Sequence, residues 1–175
     1  MELFQLRIFQ RQVLDQSKYV LMSANLINSS LKNKDQDGVW FALQSFLTAS
    51  ANIAKMLWGS GAQLASQRKD LRTSLGVDDD SPFRDVSMRN HFEHMDERID
   101  RWWEKSENHN HFDQNIGPIG MFGNPADIDM FRMFDPETTE VRFWGDSVSL
   151  QQVVDEIHKI LPRLQREAAK PHWQQ

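Results

Sequence analysis

The chain contains no cysteine, which excludes a disulfide framework, a thiolate zinc site and a cysteine nucleophile. It has no apolar run of the eighteen or so residues that a membrane-crossing helix needs, so no membrane association is expected. Positive charge is scarce too. Lys and Arg number 20 against 25 Asp and Glu, for a net charge of −5. A protein gripping nucleic acid over a broad surface normally shows a basic surplus, so only a local basic cleft is left open. There is no Gly-rich phosphate loop, no nucleophile elbow, no internal repeat and no low-complexity linker. The opening MELFQLRIFQRQVLDQ is interrupted by Glu2, Arg7, Arg11 and Asp15 and does not read as a signal peptide. The cytoplasm is the expected location.

What is present is the composition of an ordinary soluble globular protein. Of 175 residues, 39% are hydrophobic and 26% charged, enough for one domain spanning residues 1–175 with a real core. Leu6, Val13, Val20 and Ile27 recur by sevens and predict a long helix from Leu3 to Leu31. A polar break from Lys32 to Gly38 leads to a second helix over Val39–Trp58. It is capped by Asp37, faced by Val39, Leu43, Phe46, Ser50, Ile53 and Leu57, and stopped at Gly59. Two long helices with a short connection form an antiparallel hairpin. A shorter, more polar helix is predicted from Gly61 to Leu75, ended by Gly76. The Asn-, His- and Gly-rich stretch from Glu107 to Gly123 reads as a loop.

Residues 129–145 carry β-branched and aromatic residues on both sides of Asp135-Pro136-Glu137-Thr138-Thr139 and predict a β-hairpin. Ser149 and Gln152 form a capping-box pattern for a last helix to about Ala169, with Pro162 expected to bend it or end it early. The expected fold is therefore all-α: an up-and-down bundle of four main helices plus a short helix, with a small hairpin inserted before the last one.

The stretch from Ser81 to Trp103 holds the densest chemistry. Ser81 suits an N-cap and Pro82 a first helical position. Phe83, Val86, Met88, Phe92, Met95, Ile99 and Trp102 then predict one amphipathic helix. Beside that stripe lie Arg89, Asn90, His91 and His94. Asn90 and His94, four apart, share a face, and Arg89 lies about 7.5 Å along the axis from His94, within reach of the same anion. The i,i+4 pairs Arg89–Glu93 and Glu97–Arg101 equally describe a plain solvated face, in which these groups have only a structural role.

Arg89-Asn90-x-x-x-His94 on a helix resembles the signature of the HEPN superfamily (higher eukaryotes and prokaryotes nucleotide-binding). That signature is an Arg, then a polar residue, then a His four to six positions after the Arg. The surrounding SPFRDVSMRNHFEHMDERIDRWW, with SANIAKMLWG upstream, is also similar to an uncharacterised bacterial HEPN-like group. Asp96 stands where some members carry a Tyr that accepts a nucleotide. The resemblance implies a helical homodimer whose motif helices face each other across a cleft, and metal-independent endoribonuclease chemistry on RNA. Arg89, Asn90 and His94 would be catalytic, with Arg72 and His91 as substrate-binding groups and no cofactor. A regulatory protein partner is also conceivable for such proteins. The alternative is a non-catalytic helical dimer serving as a nucleotide-binding or protein-interaction module.

His109 and His111, with His91 and His94, concentrate four of the six histidines in one region. No H-E-x-x-H or paired E-x-x-H accompanies them, and Asp155 with His158 is at best half of a bundle site, so no metal is assigned. Trp40, Trp58, Trp102, Trp103 and Trp144 offer base-stacking faces, but aromatics at helical spacing are read here as core.

Overall fold

A computed structural model describes residues 1–123, 125–171 and 173, with only the backbone considered at Ile119 and Phe122. The chain divides into two compact units, residues 1–86 with 152–175, and residues 87–151.

The first unit is helical. α1 (Leu3–Asn33) and α2 (Gln36–Trp58) make the expected hairpin, but the connection is shorter than the polar break suggested. Lys34 takes a left-handed conformation at φ 56° and returns its N–H to Leu31 O, which ends α1. Asp35, rather than Asp37, caps α2, its Oδ1 accepting from Gly38 N at 2.9 Å. A side chain at Gly38 would run into the Asp35 carboxylate and the Ser30 hydroxyl, which fixes glycine there. The whole predicted stripe of α2 is buried, as are Val13, Val20 and Ile27 of α1.

The predicted third helix is two, α3 (Ala62–Gln67) and α4 (Lys69–Leu75), interrupted at Arg68. Arginine side chains explain the break. Arg68 donates to Lys55 O and, at 2.8 Å, to Met56 O, while Arg72 donates to Leu57 O at 2.8 Å. Met56 O and Leu57 O, left open by the last turn of α2, are thereby satisfied by guanidiniums from the following segment, while Lys55 O, which already accepts from Gly59 N, takes a second bond. Gly76, at φ 71°, ends α4 as expected. Pro82–Arg84 form a 3₁₀ turn, with Phe83 fully buried.

α7 (Leu150–Ala169) runs through Pro162 and turns Val153, Ile157, Ile160 and Leu164 inward. Near its end Glu167 meets Arg7 of α1 at 2.9 Å, and Arg7 also bonds Gln10 Oε1 at 2.8 Å. Burial pushes the Glu167 carboxyl up, but hydrogen bonds and charge from Lys170 and Arg7 outweigh it and hold the group below the usual carboxylate range.

The second unit corrects the all-α expectation. It contains a four-stranded mixed sheet in the order β1-β2-β3-β4, formed by β1 (Asn115–Ile116), β2 (Met133–Asp135), β3 (Glu140–Phe143) and β4 (Asp146–Ser149). β1 is parallel to β2; the other pairs are antiparallel. The protein is mostly helical but is not an all-α bundle with one hairpin. The hairpin at 129–145 is present as β2 and β3, and two further strands flank it.

The extra strands are held by backbone geometry rather than by a hydrophobic pattern. Trp144 and Gly145, at φ 51° and 85°, are the two-residue loop between β3 and β4, and Phe143 pairs with Asp146 across it. Two consecutive positive φ values match the type I′ loop whose twist suits adjacent strands. β1 is two residues inside the segment expected to be a loop.

The motif segment is not one helix either. After the 3₁₀ turn come α5 (Ser87–Glu93), an interruption at His94 (φ −103°, ψ 41°) and α6 (Met95–Lys105). Met88 is buried, but among the described side chains α6 buries none, and Ile99 is exposed.

Candidate functional site

α5 and the β3–β4 hairpin together position the motif residues. Phe143 is an inward residue of β3, and the His91 ring lies on it with centroids 4.6 Å apart and planes 9° from parallel. That stack fixes the plane of the imidazole. Its Nε2 is 2.8 Å from Asp146 Oδ2, and Asp146 opens β4 directly after the tight loop. On the other side, Arg98 Nε donates to His91 Nδ1 at 3.1 Å. A guanidinium can only donate, so Nδ1 accepts and the ring proton sits on Nε2, pointing at the carboxylate. His91 is thus held by three groups, and its side chain is only 13% exposed.

Arg98 extends the array. Its guanidinium carbon is 5.9 Å from the Trp144 ring, and that of Arg101 is 5.7 Å from the same ring. Two cations therefore lie close to one indole, whose negative π-face attracts them. Trp144 Nε1 is buried with no hydrogen-bond partner.

Arg89 and His94 sit on different elements of the segment. Arg89, on α5, forms an ion pair with Glu93 one turn on. His94 marks the junction of α5 and α6. Its N–H donates to Asn90 O at 3.0 Å and its own carbonyl accepts from Arg98 N at 3.1 Å, so the hydrogen bonding continues across the kink. The His94 ring is 48% exposed, with Nδ1 3.4 Å from Glu97 Oε1. Of the motif residues, His94 is thus the solvent-facing imidazole and His91 the anchored one.

Arg72 belongs to the first unit. Besides Leu57 O, its guanidinium bonds Ala65 O at 2.8 Å and pairs with Asp79 at 3.2 Å. It is buried and already has oxygen partners on three sides.

Behind the site, Asp129 Oδ1 accepts from Trp102 Nε1 at 3.0 Å and from Ser106 Oγ at 2.5 Å, tying the end of α6 to the turn before β2. His109 bonds Trp103 O at 3.0 Å, and His111 packs on Trp102 and Phe131. Among the described residues, no three of His, Asp and Glu converge so as to hold a metal ion. Trp40 and Trp58 are core, as expected, whereas Trp103 is largely exposed.

Asp113 and Arg132 lock β2 to the preceding segment, with Arg132 Nε donating to Asp113 Oδ1 at 2.8 Å and a second contact between Nη2 and Oδ2. Burial raises the Asp113 carboxyl, but the hydrogen bonds and charge of Arg132, with backbone N–H groups of Arg132 and Gln114, hold it below its ordinary value.

Sequence reasoning missed Asp146, Arg98, Arg101 and Trp144 as members of this cluster. For Arg98 a signal existed, since it stands seven residues after His91 and four after His94, on the same helical side. For Asp146 there was none, because only the tight turn brings it back to α5. No protein-family model matches the chain, and neither a curated protein nor a solved structure is significantly similar to it.

Proposed function

We propose that the second unit carries a metal-independent endoribonuclease site of the HEPN kind, in which His94 moves protons and Arg89 binds the scissile phosphate. The observation that carries this reading is the solvent-facing imidazole of His94 at the α5–α6 junction, in one short segment with Arg89, Asn90, Arg98 and the anchored His91. Imidazole is the side chain whose ordinary titration range suits proton transfer near neutral pH.

In the reaction, His94 takes the proton of the RNA 2′-OH. The 2′-oxygen forms a bond to the adjacent phosphorus and the bond to the 5′-oxygen breaks. That oxygen leaves protonated by a second imidazole, from the other copy in a homodimer, giving a 2′,3′-cyclic phosphate and a 5′-OH end. Arg89 exchanges Glu93 for the phosphate and stabilises charge building on its oxygens. Asn90 contacts the phosphate or orients His94. His91 acts through Arg98, whose guanidinium it positions. Arg72 is left to the first unit's structure.

The test is RNA cleavage by wild type, His94→Ala and Arg89→Ala. Each variant is expected to lose roughly two or more orders of magnitude in rate while keeping its circular dichroism. Equal rates in all three proteins would end the proposal.

The Arg89–Glu93 ion pair specifically favours a second reading, a non-catalytic nucleotide-binding or protein-interaction module in which Arg89 is structural. Glu93→Gln separates the two. Freeing Arg89 raises RNA affinity if Arg89 binds phosphate, and changes only stability if the pair is structural.

A further inference from the structure

The polarity of α1 is inverted. Its buried stripe carries Arg7, Gln10, Ser17, Ser23 and Ser30 among Val13, Val20 and Ile27. Its outward side meanwhile exposes Tyr19 (52%), Met22 (65%) and Leu26 (41%), spaced by three and four residues so that they line up along the helix. Phe41 of α2, 67% exposed, stands beside them, and the four border an open groove of about 690 Å³ between the two helices. A helix that served only its own core would turn its aromatic and Met residues inward and its serines out. Small serines against α2 let the two backbones approach, and the large side chains are left for another surface.

That surface has a second distinguishing property. A neighbouring groove shares Tyr19, Ser23, Phe41 and Ser45 with the first, and every residue lining either one is uncharged. The chain as a whole is 26% charged, with a net charge of −5. Two copies therefore repel over most of their surface, at distances within a Debye length of about 8 Å. A two-fold contact also brings each residue near its own counterpart, so charges close to the axis would meet like charges. A patch with no charge avoids both costs. A different partner recruited to an acidic protein would be expected to use its carboxylates, and this face offers none.

We infer that the uncharged α1–α2 face, centred on Tyr19, Met22, Leu26 and Phe41, is the surface through which two copies of this chain associate. Tyr19, Met22, Leu26 and Phe41, together with the uncharged Ser, Thr, Asn and Gln residues lining the two grooves, supply roughly 500–600 Å² per copy, on the order of 1,000 Å² for the pair, which reaches the range of specific association. Aromatic and Met residues at the centre with no Lys, Glu or Asp is also the composition that interface cores select. This inference stands on the exposure and charge of this face, apart from the nuclease reading.

Sedimentation equilibrium of the full chain from about 1 to 100 μM tests it, the range in which mass action exposes a reversible dimer. The expected mass rises to twice the 20.5 kDa of one chain. Met22→Asp and Phe41→Asp, both at exposed positions, are expected to stay near 20.5 kDa with unchanged circular dichroism. Since the chain has no native thiol, Met22→Cys supplies an independent reading. Its labelling by a maleimide should slow as protein concentration rises, while that of Trp103→Cys should not. A chain that stays monomeric throughout, a dimer untouched by both Asp variants, or labelling of Met22→Cys that ignores concentration each overturns the inference. Activity is read separately: a dimer that cleaves no RNA keeps this interface and removes the chemistry, whereas cleavage by a strict monomer removes both this interface and the second copy's imidazole from the reaction.

Discussion

The Nε2–H of His91 points at Asp146 Oδ2 from 2.8 Å, joining α5 to the first residue of β4. The contact exists because the loop at Trp144 and Gly145 reverses the chain within two residues, returning Asp146 beside Phe143, on which the same imidazole lies. One ring thereby couples a helix, a hairpin and, through Nδ1, Arg98 of α6.

His91→Ala is expected to destabilise the protein by about 2 kcal/mol, the combined scale of an aromatic stack and a part-buried hydrogen bond from Arg98. Asp146→Asn, at an exposed carboxylate, should cost about 0.5–1 kcal/mol. Urea midpoints measure both. If His91→Ala unfolds at the wild-type midpoint, the ring is not the joint described.

Arg72→Ala is expected to lower stability by about 2–3 kcal/mol, because it leaves Leu57 O and Ala65 O without their donor. Thermal unfolding monitored by circular dichroism reads this directly. A variant as stable as wild type but weaker in RNA binding would return Arg72 to the substrate-binding role.

The Asp113–Arg132 pair gives a pH dependence of known sign. Asp113 is held below its ordinary value in the folded chain: burial works against this, and Arg132 overcomes it. A depressed folded value means that the contribution to stability is present above the unfolded carboxylate range near 3.9, and is lost as pH falls through the folded value. Asp113→Asn should therefore be less stable than wild type at neutral pH, by about 1–3 kcal/mol. The difference should begin to shrink below about pH 4, where the unfolded chain takes up the proton, and be lost only as pH falls through the lower folded value. A gap that stays constant from neutral pH to pH 2 contradicts this assignment.

Helix periodicity was legible where packing is regular. The α2 stripe from Val39 to Leu57 is buried throughout, because one continuous helix keeps one phase. The motif stretch shows where periodicity misleads. Its apolar spacing runs on from Phe83 to Trp102, yet the backbone is a 3₁₀ turn and two helices, and Ile99 is exposed. The fourth strand, Asp146–Ser149, has no alternating hydrophobic pattern, and only a loop geometry with two positive φ values reveals it. The site was half visible for the same reason. Arg89, Asn90, His91 and His94 are neighbours in sequence, whereas Asp146 reaches His91 across 55 residues.

The central claim is tested most directly by the ends that the protein leaves on RNA. With EDTA present, ³¹P NMR of RNA incubated with wild type should show a 2′,3′-cyclic phosphate accumulating. DNA of the same sequence should remain whole, because the nucleophile is the substrate's own 2′-OH, and the cyclic-phosphate signal should vanish with His94→Ala. Intact RNA under these conditions, cleavage of the DNA, or the same signal from His94→Ala would contradict the account.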